Sequence, residues 1–306
     1  MSLLTQMKPA NFRQVTDFDL KLLRIFKIVA ECGSFSAAES LLGITRSAIS
    51  LHMGDLEKRL GMRLCQRGRA GFSLTDEGRE ILRASETMMA SIEEFRQHVN
   101  QIHKQLRGEF NIGIINNLVT QPMMRITNAL ERLRSASDGI LINISMSTPT
   151  EIERGILDGR LQVGALPFIT PLSGLNYLPL YNERSYLYCS NTHEAFLLAD
   201  NFDTEQLNQL DAVIPGYRIS TEAMNHHKLL NSAATASDRE GIAFLILTGK
   251  FVGFLPDHYA RIWVEKGFMK ALLPEKIYYD SKISIVTRKG KRTNAILGLF
   301  LEELGY

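Results

Sequence analysis

Arg46, Ser47 and Ser50 are the residues of this chain whose types and spacing offer the clearest chemistry. They sit within RSAISLHMGDLEKRL, where Ile49, Met53, Leu56 and Leu60 recur at intervals of four, three and four residues. That period predicts an amphipathic helix, and it sets Ser47, Ser50 and Gly54 opposite the apolar stripe with Arg46 on the flank. Short hydroxyls and one guanidinium, with no bulk between them, suit hydrogen bonding to base edges in a DNA major groove of roughly 12 Å width. Arg46 is the candidate for a paired contact to guanine. His52 falls nearer the buried side of the same wheel, and packing and DNA contact both stay open for it. Ser36 and Thr45 are read as N-caps of two successive helices, where backbone N–H groups meet phosphates. Arg67 and Arg69 lie in a Gly/Arg turn, within reach of phosphates or a narrow minor groove. Plain capping and solvated surface arginines are the competing readings.

The elements that must position these groups are legible around them. Phe18, Leu22, Ile25, Phe26 and Val29 mark a first helix from Asp17 to about Cys32-Gly33. Residues 37–42 form a short second helix ended by Gly43, and the Arg46 helix follows. Two extended pieces flanking the turn within 61–74 predict a β-hairpin wing. Thr75-Asp76-Glu77 then opens a helix expected to run to about Gln105, with Leu82, Met89, Ile92, Val99, Ile102 and Leu106 in one stripe. Some 30 residues would extend roughly 45 Å. The stripe suits pairing with a second copy of itself, or packing on the chain's own body.

Beyond Arg107-Gly108 the texture becomes α/β. Strands at 110–115, 140–146 and 163–166 alternate with helices at 123–133 and 151–157. Further strands are expected at 186–189, 212–214, 251–255 and 283–287, and a helix at 238–247. Such alternation predicts a parallel sheet with right-handed crossovers in two lobes, and ligands of such sheets sit beyond the strand ends. Asn116 and Asn117 follow the first strand, Thr120 is placed at the start of the next helix, and Thr148-Pro149 follow the second strand. Small polar groups at two helix N-termini suit a carboxylate or other small anion, with ordinary N-capping the competing reading. Arg218, Ser220 and Thr221 are the candidates from the second lobe. His226-His227 lack the neighbouring ligands of a metal site.

Composition bounds the rest. The 306 residues suggest two or three domains. Residues 1–74 carry 11 Lys/Arg against 6 Asp/Glu, net +5, while residues 109–306 carry 19 against 21, net −2. A basic end on a mildly acidic body localises phosphate contact to that end. No apolar run approaches a membrane span and the N-terminus lacks a signal-peptide core, so a cytoplasmic location is the expectation. Cys32, Cys65 and Cys189 fit neither a disulfide framework nor a zinc spacing. No nucleophile elbow, phosphate-binding loop or His-Glu-x-x-His occurs, and Gly249-Lys250 lacks the required glycine spacing; catalysis and a cofactor are not expected.

From Asp17 onward the chain resembles the LysR-type bacterial transcriptional regulators. The resemblance is carried by Phe18-Asp19-Leu20 to Phe26, Gly33-Ser34-Phe35-Ser36-Ala37-Ala38, Ser47-Ala48-Ile49-Ser50, Leu56-Glu57, Leu60-Gly61 and Leu74-Thr75-Asp76-Glu77-Gly78. In the body, Gly159 to Gly164 and Gly249 to Pro256 look like the family's two glycine-containing strand motifs. Arg46 and His52 stand where the family often has Gln, Cys65 replaces the usual Phe, and Gln162 replaces the usual Asp.

The resemblance implies an N-terminal all-α winged helix-turn-helix plus a long linker helix, then a two-lobed α/β domain like periplasmic binding proteins. The corresponding segments are a tail over 1–16, the winged helix-turn-helix over 17–75, the linker over 76–106 and an effector domain over 107–306. Lobe one would take about 107–181 and 283–306, and lobe two about 182–282. The implied partners are promoter DNA, a small effector, a second copy in a dimer assembling to a homotetramer, and RNA polymerase, with no membrane. A ligand-binding or enzymatic body with a vestigial N-terminal domain would instead bind ligand without specific DNA affinity. An architectural DNA binder would show weak sequence preference and an occluded cleft.

Overall fold

Three left-handed glycines punctuate the first hundred residues. The computed structural model describes residues 14–68, 71–102, 106–197, 204–290 and 294–306, so most of the expected tail lies outside the described residues. Its last residue, Thr16, caps helix α1 (Asp17–Cys32) in a reciprocal box with Asp19. Gly33 closes α1, Gly43 closes α2 (Phe35–Leu42) and Gly61 closes α3 (Arg46–Leu60), each at φ between 63° and 70°. The cap of α2 is Ser34, whose hydroxyl accepts from Ala37 N at 3.0 Å. Ser36, expected in that role, is an exposed residue of the first turn. Leu22, Phe26 and Val29 pack with Ile49, Met53 and Leu56 into one core. The wing is the hairpin β1 (Cys65–Gly68) and β2 (Gly71–Leu74). Thr75 accepts from Gly78 N at 2.9 Å and opens α4 (Asp76–Ile102).

The chain divides into two compact units between Ile92 and Glu93, inside α4 rather than after it. The reason is Gln97, only 6% exposed. It donates to Glu109 O at 2.6 Å and accepts from Asn294 at 2.8 Å, while Glu93 accepts from Glu109 N. The apolar stripe of α4 divides as well. Leu82 and Met89 pack against the N-terminal core and Leu106 against a C-terminal one. Phe95 and Ile102 stay more than 70% exposed, and Ile92 and Val99 are also exposed.

After the end of α4, the C-terminal unit continues with β3 (Gly108–Ile114), α5 (Arg125–Ala136), β4 (Ile140–Met146), α6 (Pro149–Leu157) and β5 (Val163–Pro167). Then come β6 (Leu175–Ser190), β7 (Asp211–Pro215), α7 (Thr221–His227), β8 (Asn231–Ala236) and α8 (Arg239–Leu247). The chain closes with β9 (Gly253–Pro256), α9 (Asp257–Val264), β10 (Met269–Ala271), β11 (Tyr278–Arg288) and α10 (Ala295–Glu303). β4, β3 and β5 form the expected parallel arrangement, and β7 pairs parallel with β8 in the second half; β11 adds antiparallel to β5, and β6 antiparallel to β11. Both β6 and β11 are far longer than the short strands expected, because they run from one core into the other. The first core gathers Phe110, Ile112, Leu133, Ile152, Ile285 and Phe300. The second half rests on two clusters, one around Leu187, Phe254 and Tyr279, the other around Val213, Ile246 and Leu255.

Candidate nucleic-acid interface and ligand cleft

In the N-terminal unit, three carboxylates fix the aim of α3. Asp19, fully buried, accepts from Thr16 N, from the Thr16 hydroxyl and twice from Arg59 near the end of α3. The guanidinium holds the Asp19 carboxyl down at about 2. Glu39 of α2 accepts from Arg46 N, plugging the amino end of α3 beside the Thr45 cap, which takes Ala48 N at 3.3 Å. Glu57 accepts from Leu64 N and Cys65 N at 2.9 and 3.3 Å, tying the end of α3 to the wing.

The outward residues follow from this frame. Arg46 and Ser47 are exposed and Ser50 is half-buried. His52 turns inward, with its ring 6.5 Å from that of Phe18 on α1 and its Nδ1 buried. Leu51, one turn from Ser47, is 63% exposed and was not singled out in the sequence. An apolar residue breaking the polar face was the available signal, and such a side chain can meet a thymine methyl. The Arg67 backbone pairs with Phe72 in the wing, but its side chain and all of Arg69 lie outside the described residues.

In the C-terminal unit, a cavity of about 280 Å3 opens between the two halves. Asn116, Thr148 and Pro149 line it from the first half, with Tyr217, Asp238 and Arg239 opposite. Thr148 caps α6 in a reciprocal box with Glu151. The second helix start at this cavity is that of α8, capped by Asp238 on Gly241 N at 2.8 Å, not the helix after β3. That helix, α5, begins only at Arg125, and the Arg125 guanidinium instead donates to Leu180 O and Leu304 O. Thr120 therefore does not open it. Its hydroxyl lies 2.6 Å from Nδ1 of His258 and 2.9 Å from Asn117 O. Asn117, left-handed at φ 69°, bonds the Tyr259 hydroxyl.

Arg218 and Ser220 line a neighbouring cavity of about 210 Å3 that shares Pro167, Tyr217 and Arg239 with the first. Arg218 is paired at 2.7 Å to Glu153, which also accepts from Tyr177 at 2.8 Å. Ser220 caps α7 on Ala223 N, and Thr221 is the first residue of that helix; Thr221 lines neither cavity.

Arg239, Glu183 and His258 were not anticipated from the sequence. Arg239 bonds both oxygens of the fully buried Glu183 carboxylate, and His258 Nε2 lies 2.9 Å from Oε2. Burial alone would raise the pKa of Glu183, but Arg239 and His258 outweigh it and hold the carboxyl below its usual range. Burial pushes Tyr217 upward, keeping its hydroxyl protonated beside Arg239. Among the described residues, no cluster of His, Cys, Asp and Glu could hold a metal ion, and no helix is long and apolar enough to cross a membrane.

A winged reading head joined by one helix to a two-lobed body with a cleft defines a ligand-responsive DNA-binding regulator. The model of the bacterial regulatory helix-turn-helix protein, lysR family, matches residues 20–79, and that of the LysR substrate binding domain matches residues 103–305. The chain belongs to the LysR family of transcriptional regulators, and is not an enzyme. It is 61% identical over 290 residues to the HTH-type transcriptional activator BauR of Pseudomonas aeruginosa, covering 94% of this chain and 95% of that one. It is 25% identical over 288 residues to the HTH-type transcriptional regulator PunR of Escherichia coli, covering 92% and 91%. In fold it is similar to CbnR, a LysR family regulator solved alone and complexed with target DNA. The TM-scores are 0.67 and 0.65 at 18% and 19% identity, covering 94% of this chain and 98% of each of those.

Proposed function

We propose that this protein is a cytoplasmic transcriptional activator whose grip on promoter DNA is set by a small anionic effector in the 280 Å3 cleft. The observation that carries this reading is the convergence of two helix starts, those of α6 at Thr148 and α8 at Arg239, on one cavity. Such starts present backbone N–H groups and a positive dipole end to an anion. Asn116 and Tyr217 add polar contacts; Asp238 and Glu151 also line the cavity but are engaged in capping α8 and α6. The 61% identity to a named activator supports the direction of control. On the DNA side, Arg46, Ser47, Ser50 and Leu51 read bases, Ser36 and Thr45 meet phosphates, and Arg67 and Arg69 belong to the wing. The exposed stripe Ile92, Phe95, Val99 and Ile102 of α4 supports pairing with a second copy. A dimer of dimers that engages RNA polymerase is the working assembly. Effector binding shifts the population between lobe arrangements and so the spacing of paired reading heads.

Selection of genomic fragments by the purified full-length protein at near-physiological salt tests the reading. A short dyad-symmetric site is expected, and Arg46→Ala should lose roughly 10- to 100-fold of discrimination at one base pair. Thr148→Phe should abolish induction of the recovered promoter while leaving its binding intact. Diffuse, salt-sensitive binding alone would sink the regulatory reading, and an unchanged induction in Thr148→Phe would sink the cleft assignment.

A further inference from the structure

Four side chains form a continuous polar chain from the cleft to the opposite lobe. Arg239, at the cavity wall, grips both oxygens of Glu183. Glu183 lies on β6, and its side chain is fully buried. The same carboxylate takes His258 Nε2 at 2.9 Å, and His258, at the start of α9, is 7% exposed. A carboxylate only accepts, so Nε2 carries the proton and the ring is oriented by Glu183. Nδ1 then faces the Thr120 hydroxyl at 2.6 Å. Thr120 belongs to the segment after β3, on the first lobe. One buried anion therefore sets both a cleft-lining cation and the group that touches across the lobes. A buried carboxylate tolerates no loss of its partners, so the positions of Arg239 and His258 are linked through it.

We infer that Thr120, His258 and Glu183 form an interlobe latch, with Glu183 the positioning residue that couples the placement of Arg239 in the cleft to contact between the lobes. The inference rests on the cleft being the effector site, but its test needs no effector. Trp263, the single tryptophan of the chain, lies on α9 with the latch histidine and stacks edge-on against Tyr259 at 5.0 Å, so its emission reports on that helix. Thr120 is exposed, so replacing it leaves the cores intact.

Hydrogen exchange and Trp263 emission of the full-length chain provide the measurement. In Thr120→Val, which keeps the shape and removes the hydroxyl, exchange in residues 257–264, across the lobes, should rise about fivefold, the effect of one net hydrogen bond, while the lost bond to Asn117 O acts only within residues 115–121. Trp263 emission should shift with it, and peptides of α1 to α3 should not change. Thr120→Ser, which restores the hydroxyl, should return both signals to the wild-type values. Glu183→Gln, which keeps the shape and removes the charge, should raise exchange in α9 and at the start of α8 together. A rise below twofold in Thr120→Val, or an equal disturbance in Thr120→Ser, overturns the latch. A normal latch in a protein whose Thr148→Phe variant still induces the recovered promoter would instead condemn the cleft assignment alone.

Discussion

Replacing Asp19 should loosen the reading head by an amount that follows from its partners. Asp19 is fully buried and accepts from Thr16 N at 2.9 Å and from Arg59 Nη2 at 2.8 Å, besides the Thr16 hydroxyl and Arg59 Nε. Its carboxyl titrates at about 2 in the folded chain, against an ordinary 3.8, chiefly because of the Arg59 guanidinium. That difference corresponds to roughly 2 kcal/mol. Arg59 is 39% exposed, so solvent screening trims the figure to between about 1 and 2 kcal/mol. Asp19→Asn, which removes the charge, should therefore raise exchange in α1 and α3 about tenfold. Asp19→Ala also removes the helix-capping box, worth about 1 kcal/mol more, and should reach about 100-fold. Peptide-resolved hydrogen exchange of the full-length chain at pH 7 makes the measurement, with the peptides of β3 to β5 as the internal control.

The sign with pH is fixed. A depressed carboxyl contributes fully above its unfolded value near 3.8 and loses that contribution as pH falls through about 2. The gap between wild type and Asp19→Asn in calorimetry should therefore be constant from pH 7 to 5 and shrink below 4. An Asp19→Ala protein within threefold of wild type in α1 and α3, or a gap that persists undiminished to pH 2, would refute the reasoning.

Two further outcomes concern other parts of the chain. His227 is 5% exposed against Phe254 and Tyr279, and burial, with a smaller effect of His226, pushes its pKa down to about 4. The unfolded chain binds that proton first, so the C-terminal unit should lose up to about 3 kcal/mol as pH falls from 6.5 to 4. His227→Leu should remove that part of the slope in urea titrations followed by Trp263; an unaltered slope would discount it. A Cβ on Gly78 would lie 2.0 Å from the carbonyl oxygen of Leu64, so Gly78→Ala should separate α4 from the wing. Exchange in residues 62–80 should increase at least 100-fold, and wild-type protection there would contradict the contact.

Local signals in the sequence accounted for the N-terminal unit and failed at long range. Glycines 33, 43 and 61 and the period of α3 marked the helices because each effect acts within one turn. Ser36 reads as the cap of α2 because it stands directly before the run 37–42, yet Ser34 takes that role. Glu39 reaches the backbone of Arg46 on the next helix, a tertiary contact no local pattern contains. The parallel arrangement held for β4, β3 and β5 and for β7 with β8, whose crossover helices are short. It failed for β6 and β11, whose pairing joins residues about a hundred positions apart. Thr148 was legible through its cap, but Arg239 and His258 lie 56 and 75 residues along the chain from Glu183. Glu183, between Leu180 and Leu187 on the buried face of β6, was the one available sign of it.

One irregularity of the long strands bears on how this chain can change over generations. Tyr181 of β6 pairs with Ile283, and Pro179 with Ser284, so Leu180 has no opposite number on β11. That extra residue lets Leu180 sit in the first core while Glu183 faces the latch. Each half of the strand thus keeps its own phase, and composition can drift in one half without disturbing the other. Length cannot. Side chains alternate faces along a strand, so losing Asn182 would carry Arg184, now exposed, to the place of the buried carboxylate. Arg184 would then meet Arg239 where a carboxylate now sits. Descendants of this chain should accordingly accept substitutions across residues 175–190 far more readily than a single inserted or deleted codon between Tyr181 and Glu183.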